Sequence, residues 1–258
     1  MSLLGVAVQG IGLVDPEQPV FRADDEAVLR GAVAFETMRS YGGKPFLLDR
    51  HLARFDGSLA ALALPPAGGV EELLAVAASV APRDNVLRLY RTSYTLVATS
   101  AALPANLEEL RERGLALRTV DAGTPSALIA HAKATSYAAA FAATRHAQAE
   151  GADDALLVSQ GRVLDPPTAN IWARFGDDLC TPALGAGVLP GVTRSFVLEI
   201  SDAQERDLTV AELYEADELF ITSSVREVMP VTSLDGLPFA AGPAAARLQA
   251  ELRLRSTP

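Results

Sequence analysis

The chain has 258 residues, 49% of them hydrophobic, and carries a formal net charge of −10. That length suits one large domain or two small ones around a buried core, and the acidic balance argues against nucleic acid or an anionic membrane as partner, leaving a small-molecule site as the expectation. A single cysteine, Cys180, excludes an intrachain disulfide framework, and no run reads as a signal peptide or spanning helix, so a cytoplasmic location is expected.

In chain order, residues 5 to 9 and 32 to 41 predict strands, the second passing through Gly42-Gly43 into a partner strand at Phe46-Leu47-Leu48. Asp49 is expected to cap a helix on which Leu52, Phe55, Leu59 and Leu62 form an apolar stripe, with His51, Arg54 and Ser58 on its flank. Arg54 then has two readings: a solvated arginine, or one that reaches into a cleft to hold an anion. Val70 to Val80 predicts a helix, Val86 to Val97 one strand interrupted by Arg88, Tyr90 and Arg91, Asn106 to Arg113 a helix, and Leu115 to Val120 a strand. The turn-rich residues 122–125 are the expected linker between a domain at 1–121 and a larger one at 126–258. Thr135 or Ser136 can cap an alanine-rich helix at 135–150. Strands follow at 154–158, 168–174 and 178–181, then a helix at 192–201, strands at 217–222 and 226–232, and a closing helix at 243–254. This mixture predicts an α/β or α+β fold.

Of the 22 basic residues only Lys44 and Lys133 are lysines. Arginine supplies a fixed charge, whereas a lysine amine can lose its proton and attack a carbonyl. Lys44 sits in a polar turn and reads as a solvated tip. Lys133 reads either as a carbonyl-capturing amine or as a lysine snorkelling at the surface. Leu189-Pro190-Gly191-Val192-Thr193-Arg194 leads into a helix and presents amides and a positive dipole end beside a glycine. Leu219-Phe220-Ile221 ends in Thr222-Ser223-Ser224, three hydroxyls where a strand leaves its sheet. With Arg54 and Lys133 these make a phosphate cup and an aldehyde-capturing amine, the two attachments pyridoxal phosphate requires. The ring nitrogen of that cofactor needs a carboxylate, for which Asp165 is the candidate, although an Asp-Pro turn explains it equally well.

These residues resemble the class IV aminotransferases, the fold-type IV pyridoxal phosphate enzymes that include branched-chain and D-amino-acid aminotransferases and 4-amino-4-deoxychorismate lyases. The resemblance is carried by Phe35-Glu36-Thr37-Met38-Arg39, His51-Leu52-Ala53-Arg54, Lys133 with Ser136-Tyr137, the stretch from Gly161 to Trp172, Leu189 to Arg194, and Glu218 to Val231. It implies two α/β domains with the cofactor at their interface, and a homodimer. It makes Lys133 the Schiff-base lysine and proton shuttle, and Arg54 the phosphate arginine. Val192, Thr193 and Ser224 become phosphate contacts, and Tyr137, Asn170, Gly191 and Ser223 further cofactor contacts. Phe35, Thr37, Arg88 and Arg91 are the substrate-side candidates, and no metal is implied. Asp165 stands where the family usually has glutamate, one methylene longer.

Three features bear on the reaction. The four-residue step from Lys133 to Tyr137 resembles the lyases and D-amino-acid enzymes, the segment after Arg91 lacks an Arg-x-His pair of the kind the D-amino-acid enzymes carry, and residues 35–39 resemble lyase sequences as well as class IV proteins of unassigned activity. The expectation is therefore a 4-amino-4-deoxychorismate lyase that releases pyruvate and gives p-aminobenzoate. A branched-chain or D-amino-acid transaminase is the alternative, and a catalytically inert binding protein on the same fold a further one.

Overall fold

The computed structural model describes residues 2–185 and 187–256, and these divide into two compact units. Residues up to Ala105, with Ala132–Tyr137 returning to them, form the first; Asn106–His131 and Ala138–Arg255 form the second.

The first unit contains β1 (Leu3–Val8), β2 (Gly12–Val14), α1 (Glu26–Arg30), β3 (Ala34–Tyr41), β4 (Lys44–Pro45), α2 (Leu48–Ala61), α3 (Val70–Ala78), β5 (Asn85–Arg91) and β6 (Leu96–Ala101). The strands make an antiparallel sheet in the order β2-β1-β6-β5-β3-β4. Strand alternation sends Met38, Leu87 and Leu89 to one face, where Phe55 and Leu59 of α2 and Leu73, Leu74 and Ala77 of α3 complete a core. Burying each such large side chain contributes about 1.5–3 kcal/mol, which is what holds α2 against β3.

The second unit contains α4 (Leu107–Arg113), β7 (Leu115–Asp121), α5 (Ala138–Ala149), β8 (Asp154–Ser159), β9 (Arg162–Val163), β10 (Asn170–Phe175), β11 (Asp178–Thr181), α6 (Val192–Glu199), β12 (Gln204–Glu205), α7 (Val210–Tyr214), β13 (Glu218–Ser223), β14 (Glu227–Leu234), β15 (Leu237–Pro238) and α8 (Pro243–Ser256). Its sheet runs β12-β11-β10-β13-β14-β7-β8-β9, with β15 on β14. The parallel pairs are β14 with β7, β7 with β8, and β11 with β12. The expected α/β mixture is therefore present, with a mixed sheet in this unit.

Several local expectations are corrected. The strand after Gly43 covers only Lys44–Pro45, and Leu47, at φ 54, caps α2 from the left-handed region; Asp49 lies inside the helix. The apolar run at 46–48 misled because it feeds a helix stripe rather than a strand face. Residues 86–97 are two strands, because Thr92 Oγ1 accepts from the Tyr94 and Thr95 amides and closes a turn between β5 and β6. Lys133 does not adjoin a helix cap: α5 starts at Ala138, and 133–135 is extended chain bridged to β3. The division between units falls at Ala105/Asn106 rather than at 122–125, because β7 pairs with β8 and β14 inside the second sheet. Short elements such as β2, α1 and α7 carry too few residues to set a period, and the sequence reading omits them.

Candidate active site

Lys133 is placed by backbone pairing. The Phe35 amide donates to the Lys133 carbonyl at 2.9 Å and the Thr135 amide to the Val33 carbonyl at 3.0 Å, so residues 133–135 extend the first sheet at the start of β3. The Lys133 amide donates to Ser58 Oγ at 3.0 Å, tying the same segment to α2. Lys133 Nζ lies over the Phe35 ring, 4.4 Å from its centroid. The Tyr137 ring meets Phe35 edge-on at 5.7 Å, and the Tyr90 ring lies parallel to it at 6.3 Å. Burial, reinforced by the charges of Arg54 and Arg88 and opposed by Glu36, lowers Lys133 to about 8. An amine so tuned is a competent nucleophile and proton carrier near neutral pH. Burial raises the Tyr137 phenol above its ordinary range.

Arg54, on α2, meets Glu36, on β3. Its Nε donates to Glu36 Oε1 at 2.7 Å and its Nη2 to Oε2 at 2.8 Å. His51, one turn earlier, shares Oε2 through Nδ1 at 2.7 Å. Burial opposes ionisation of Glu36, but Arg54 and His51 overcome it and hold the carboxyl down to about 2. Burial lowers His51, partly offset by Glu36, so the neutral imidazole donates from Nδ1.

Register assigns the substrate-side candidates to faces. Phe35 pairs with Tyr90 and Thr37 with Arg88, so all four stand on one face of β3 and β5. Arg88 is close enough to act on both Lys133 and the Tyr90 phenol. Arg91 is not brought to this group: alternation turns it to the other face, and its Nε donates to the Pro65 carbonyl at 3.1 Å.

A second cluster forms within the other unit. Asp165 is buried; its Oδ2 accepts from Asn170 Nδ2 at 2.7 Å and its Oδ1 from the Ile171 amide at 3.1 Å. Burial pushes it up to about 7, against these hydrogen bonds and the nearby Arg194 charge. Asn170 pairs with Thr222 across β10 and β13, which brings Asp165 to the sheet end where the Thr222-Ser223-Ser224 hydroxyls lie. Thr222 Oγ1 accepts from Trp172 Nε1 at 2.9 Å, and Ser223 Oγ accepts the Arg226 amide at 3.1 Å, so both have structural work; Ser224 is partly exposed. Asn170 Nδ2 also donates to the Leu189 carbonyl at 2.9 Å, and a Cβ on Gly191 would meet Asn170 Oδ1 at 1.9 Å. Any larger residue where the chain enters α6 would displace the Asn170 side chain. That helix starts at Gly191 without a side-chain cap, so the first-turn amides around Val192 and Thr193 and the dipole end suit an anion.

Sequence reasoning gave no role to Glu36, Ser58 or Tyr90. Glu36 had a visible signal, a lone carboxylate at an inward position of an apolar strand. Ser58 bonds through the backbone of a distant segment, which leaves no sequence trace. Among the described residues no group of three or more His, Cys, Asp or Glu is placed to hold a metal ion, and no helix is long and apolar enough to cross a membrane.

Residues 33–234 match the family described as amino-transferase class IV. A bifunctional aminodeoxychorismate lyase / D-amino acid transaminase from Mycobacterium tuberculosis is 30% identical over 260 residues, covering 87% of this chain and 89% of that protein. A D-alanine aminotransferase from Bacillus licheniformis is 27% identical over 243 residues, covering 85% and 84%. Among solved structures, the pyridoxal phosphate-bound form of a hypothetical aminotransferase from Mycobacterium tuberculosis superposes with a TM-score of 0.87 at 28% identity, over 98% of each chain.

Proposed function

Since this chain belongs to the class IV aminotransferases, we propose that it is a pyridoxal 5'-phosphate enzyme acting as a 4-amino-4-deoxychorismate lyase. Three observations support the fit of the cofactor. Lys133 offers a partly buried amine lowered to about 8. The start of α6 offers uncapped amides beside Gly191. Asp165 is a buried carboxylate reached by neutral donors, a setting that a protonated ring nitrogen would complete. Lys133 would carry the aldehyde, Arg54 with Val192, Thr193 and Ser224 the phosphate, Asp165 the ring nitrogen, and Tyr137 and Asn170 the ring surround. When bound, the cofactor supplies an electron sink for the carbanion at the substrate carbon.

Lys133 Nζ, freed when the substrate amine takes its place, would accept the proton from the substrate carbon. Arg88, on the Phe35 face, holds a substrate carboxylate, and Thr37 lines the same face. The observation that carries the reading is the placement of Lys133 Nζ over the Phe35 ring, close enough to Arg54 and Arg88 for both charges to lower its pKa. In the lyase reaction, loss of that proton is followed by breaking of the C3–O bond: enolpyruvate leaves and takes up a proton at its methylene carbon to become pyruvate, and the ring is left aromatic. The 30% identical relative is a bifunctional aminodeoxychorismate lyase / D-amino acid transaminase, which supports both this reaction and the second reading, amino acid transamination. Incubation with 4-amino-4-deoxychorismate should release p-aminobenzoate and pyruvate in equal amounts; keto-acid formation from L- or D-amino acids without that release would replace the lyase with the transaminase.

The homodimer implied by the resemblance belongs to the same proposal. The exposed side chains of Leu128 and Phe141 give a second copy apolar surface to cover, and sedimentation at micromolar concentration tests it.

A further inference from the structure

We propose that Glu36 is a positioning residue: its carboxylate fixes the plane of the Arg54 guanidinium, with His51 locking the carboxylate, so that the arginine is pre-formed for the cofactor phosphate. The inference rests on the reading above that Arg54 meets that phosphate.

The geometry is specific. Glu36 is fully buried on the α2 side of β3, the opposite strand face from Phe35 and Thr37. Its two oxygens take the Nε and Nη2 of Arg54 side by side, which sets the guanidinium plane as well as its distance. His51, itself buried, donates to the oxygen that also receives Nη2, so the carboxylate cannot rotate without breaking two contacts. His51 and Arg54 are one turn apart on α2, and the helix packs on β3 through Phe55 and Leu59, so donors and acceptor are carried by rigid elements. A buried ion pair of this kind adds little net stability over an apolar replacement of the same size, because desolvating both charges offsets their attraction. It does hold a long, flexible arginine in one orientation before an anion arrives, removing an ordering cost from binding.

The test compares pyridoxal phosphate with pyridoxal, which lacks the phosphate, binding to the full chain stripped of cofactor, in the parent and in Arg54→Ala, Glu36→Gln, His51→Gln and the double variant Arg54→Ala/Glu36→Gln. Arg54→Ala should weaken pyridoxal phosphate by roughly one to two powers of ten and leave pyridoxal unchanged. Glu36→Gln should weaken pyridoxal phosphate roughly tenfold, again without touching pyridoxal, and should add nothing in the Arg54→Ala background. His51→Gln keeps the Arg54–Glu36 contact and should show a smaller loss of the same selectivity; it stands in if Glu36→Gln does not fold. A role confined to folding would lower the melting temperature while leaving the ratio of the two affinities at the parent value, and that result overturns the proposal. If Arg54→Ala itself leaves the ratio unchanged, the phosphate assignment falls first and the inference falls with it. If Arg54→Ala changes the ratio and neither Glu36→Gln nor His51→Gln does, the inference alone falls.

Discussion

Asn170 Nδ2 donates to Asp165 Oδ2 at 2.7 Å, and the same nitrogen donates to the Leu189 carbonyl at 2.9 Å. One amide group thereby joins the buried carboxylate to the turn that opens α6. The glutamate usual at position 165 is one methylene longer, and here the shorter acid is held by Asn170 and the Ile171 amide. Asp165→Asn keeps the size and loses the charge, so it should retain cofactor while slowing proton abstraction by several powers of ten, roughly 1.4 kcal/mol for each tenfold. Asp165→Glu should be mild. Single-turnover deprotonation rates measure both, and an Asn variant matching the parent would reduce Asp165 to a turn residue.

The same carboxyl gives a pH prediction for cofactor-free protein. Burial raises its folded pKa from 3.8 to about 7, so its contribution to stability is fully present below pH 3.8 and is lost as pH rises through 7. The loss is on the order of a few kcal/mol. Denaturant unfolding from pH 4 to 8 should show a smaller decline in Asp165→Asn than in the parent.

Gly191→Ala places a methyl 1.9 Å from Asn170 Oδ1. Asn170 must move, and it then releases Asp165, Leu189 or both. The variant should lose about 1–3 kcal/mol of stability by overpacking and bind cofactor more weakly, measured by unfolding and by cofactor titration. Parent-like values in both would mean that Asn170 has an alternative position at no cost.

On the substrate face, Arg88→Gln should raise KM for a carboxylate substrate by roughly one to two powers of ten, with a smaller change in kcat. Arg91→Ala should leave both alone, because Arg91 faces away and serves the Pro65 carbonyl. Steady-state kinetics of the two variants side by side separate the faces of β5.

Much of this was legible in the sequence because periodicity survives where elements are long. The stripe of Phe55 and Leu59 with its His51, Arg54 and Ser58 flank is written into α2 at helical spacing, and the inward Met38, Leu87 and Leu89 are written into β3 and β5 at strand spacing. The placement of Lys133 was less legible: its extended conformation comes from hydrogen bonds to Val33 and Phe35, about a hundred residues earlier in the chain, and local alanines suggested a helix instead. Arg91 was grouped with Arg88 because both interrupt one apolar run, although a spacing of three already turns them to opposite faces of a strand; the register with Thr37 and Ala34 fixes which face carries Phe35. The Asp165 to Asn170 contact was hidden for a different reason. An Asp-Pro-Pro run reads as a turn, and nothing local reveals that the turn folds the carboxylate inward.

The folded pKa of Lys133 is lowered from 10.5 to about 8. Its charged form is disfavoured in the fold, so Lys133 costs stability below pH 8, and that cost fades as pH rises from 8 to 10.5. Lys133→Met should therefore be more stable than the parent at pH 7 by about 1–3 kcal/mol in denaturant unfolding, while losing all turnover.

The most direct measurement uses the fact that the chain holds two lysines, Lys44 and Lys133. Borohydride reduction of the pyridoxal phosphate-loaded enzyme, followed by proteolysis and mass spectrometry, should place the whole cofactor adduct on the peptide containing Lys133. Lys133→Ala should yield none and lose its visible absorbance. An adduct on Lys44, or an undiminished adduct in Lys133→Ala, would contradict the account.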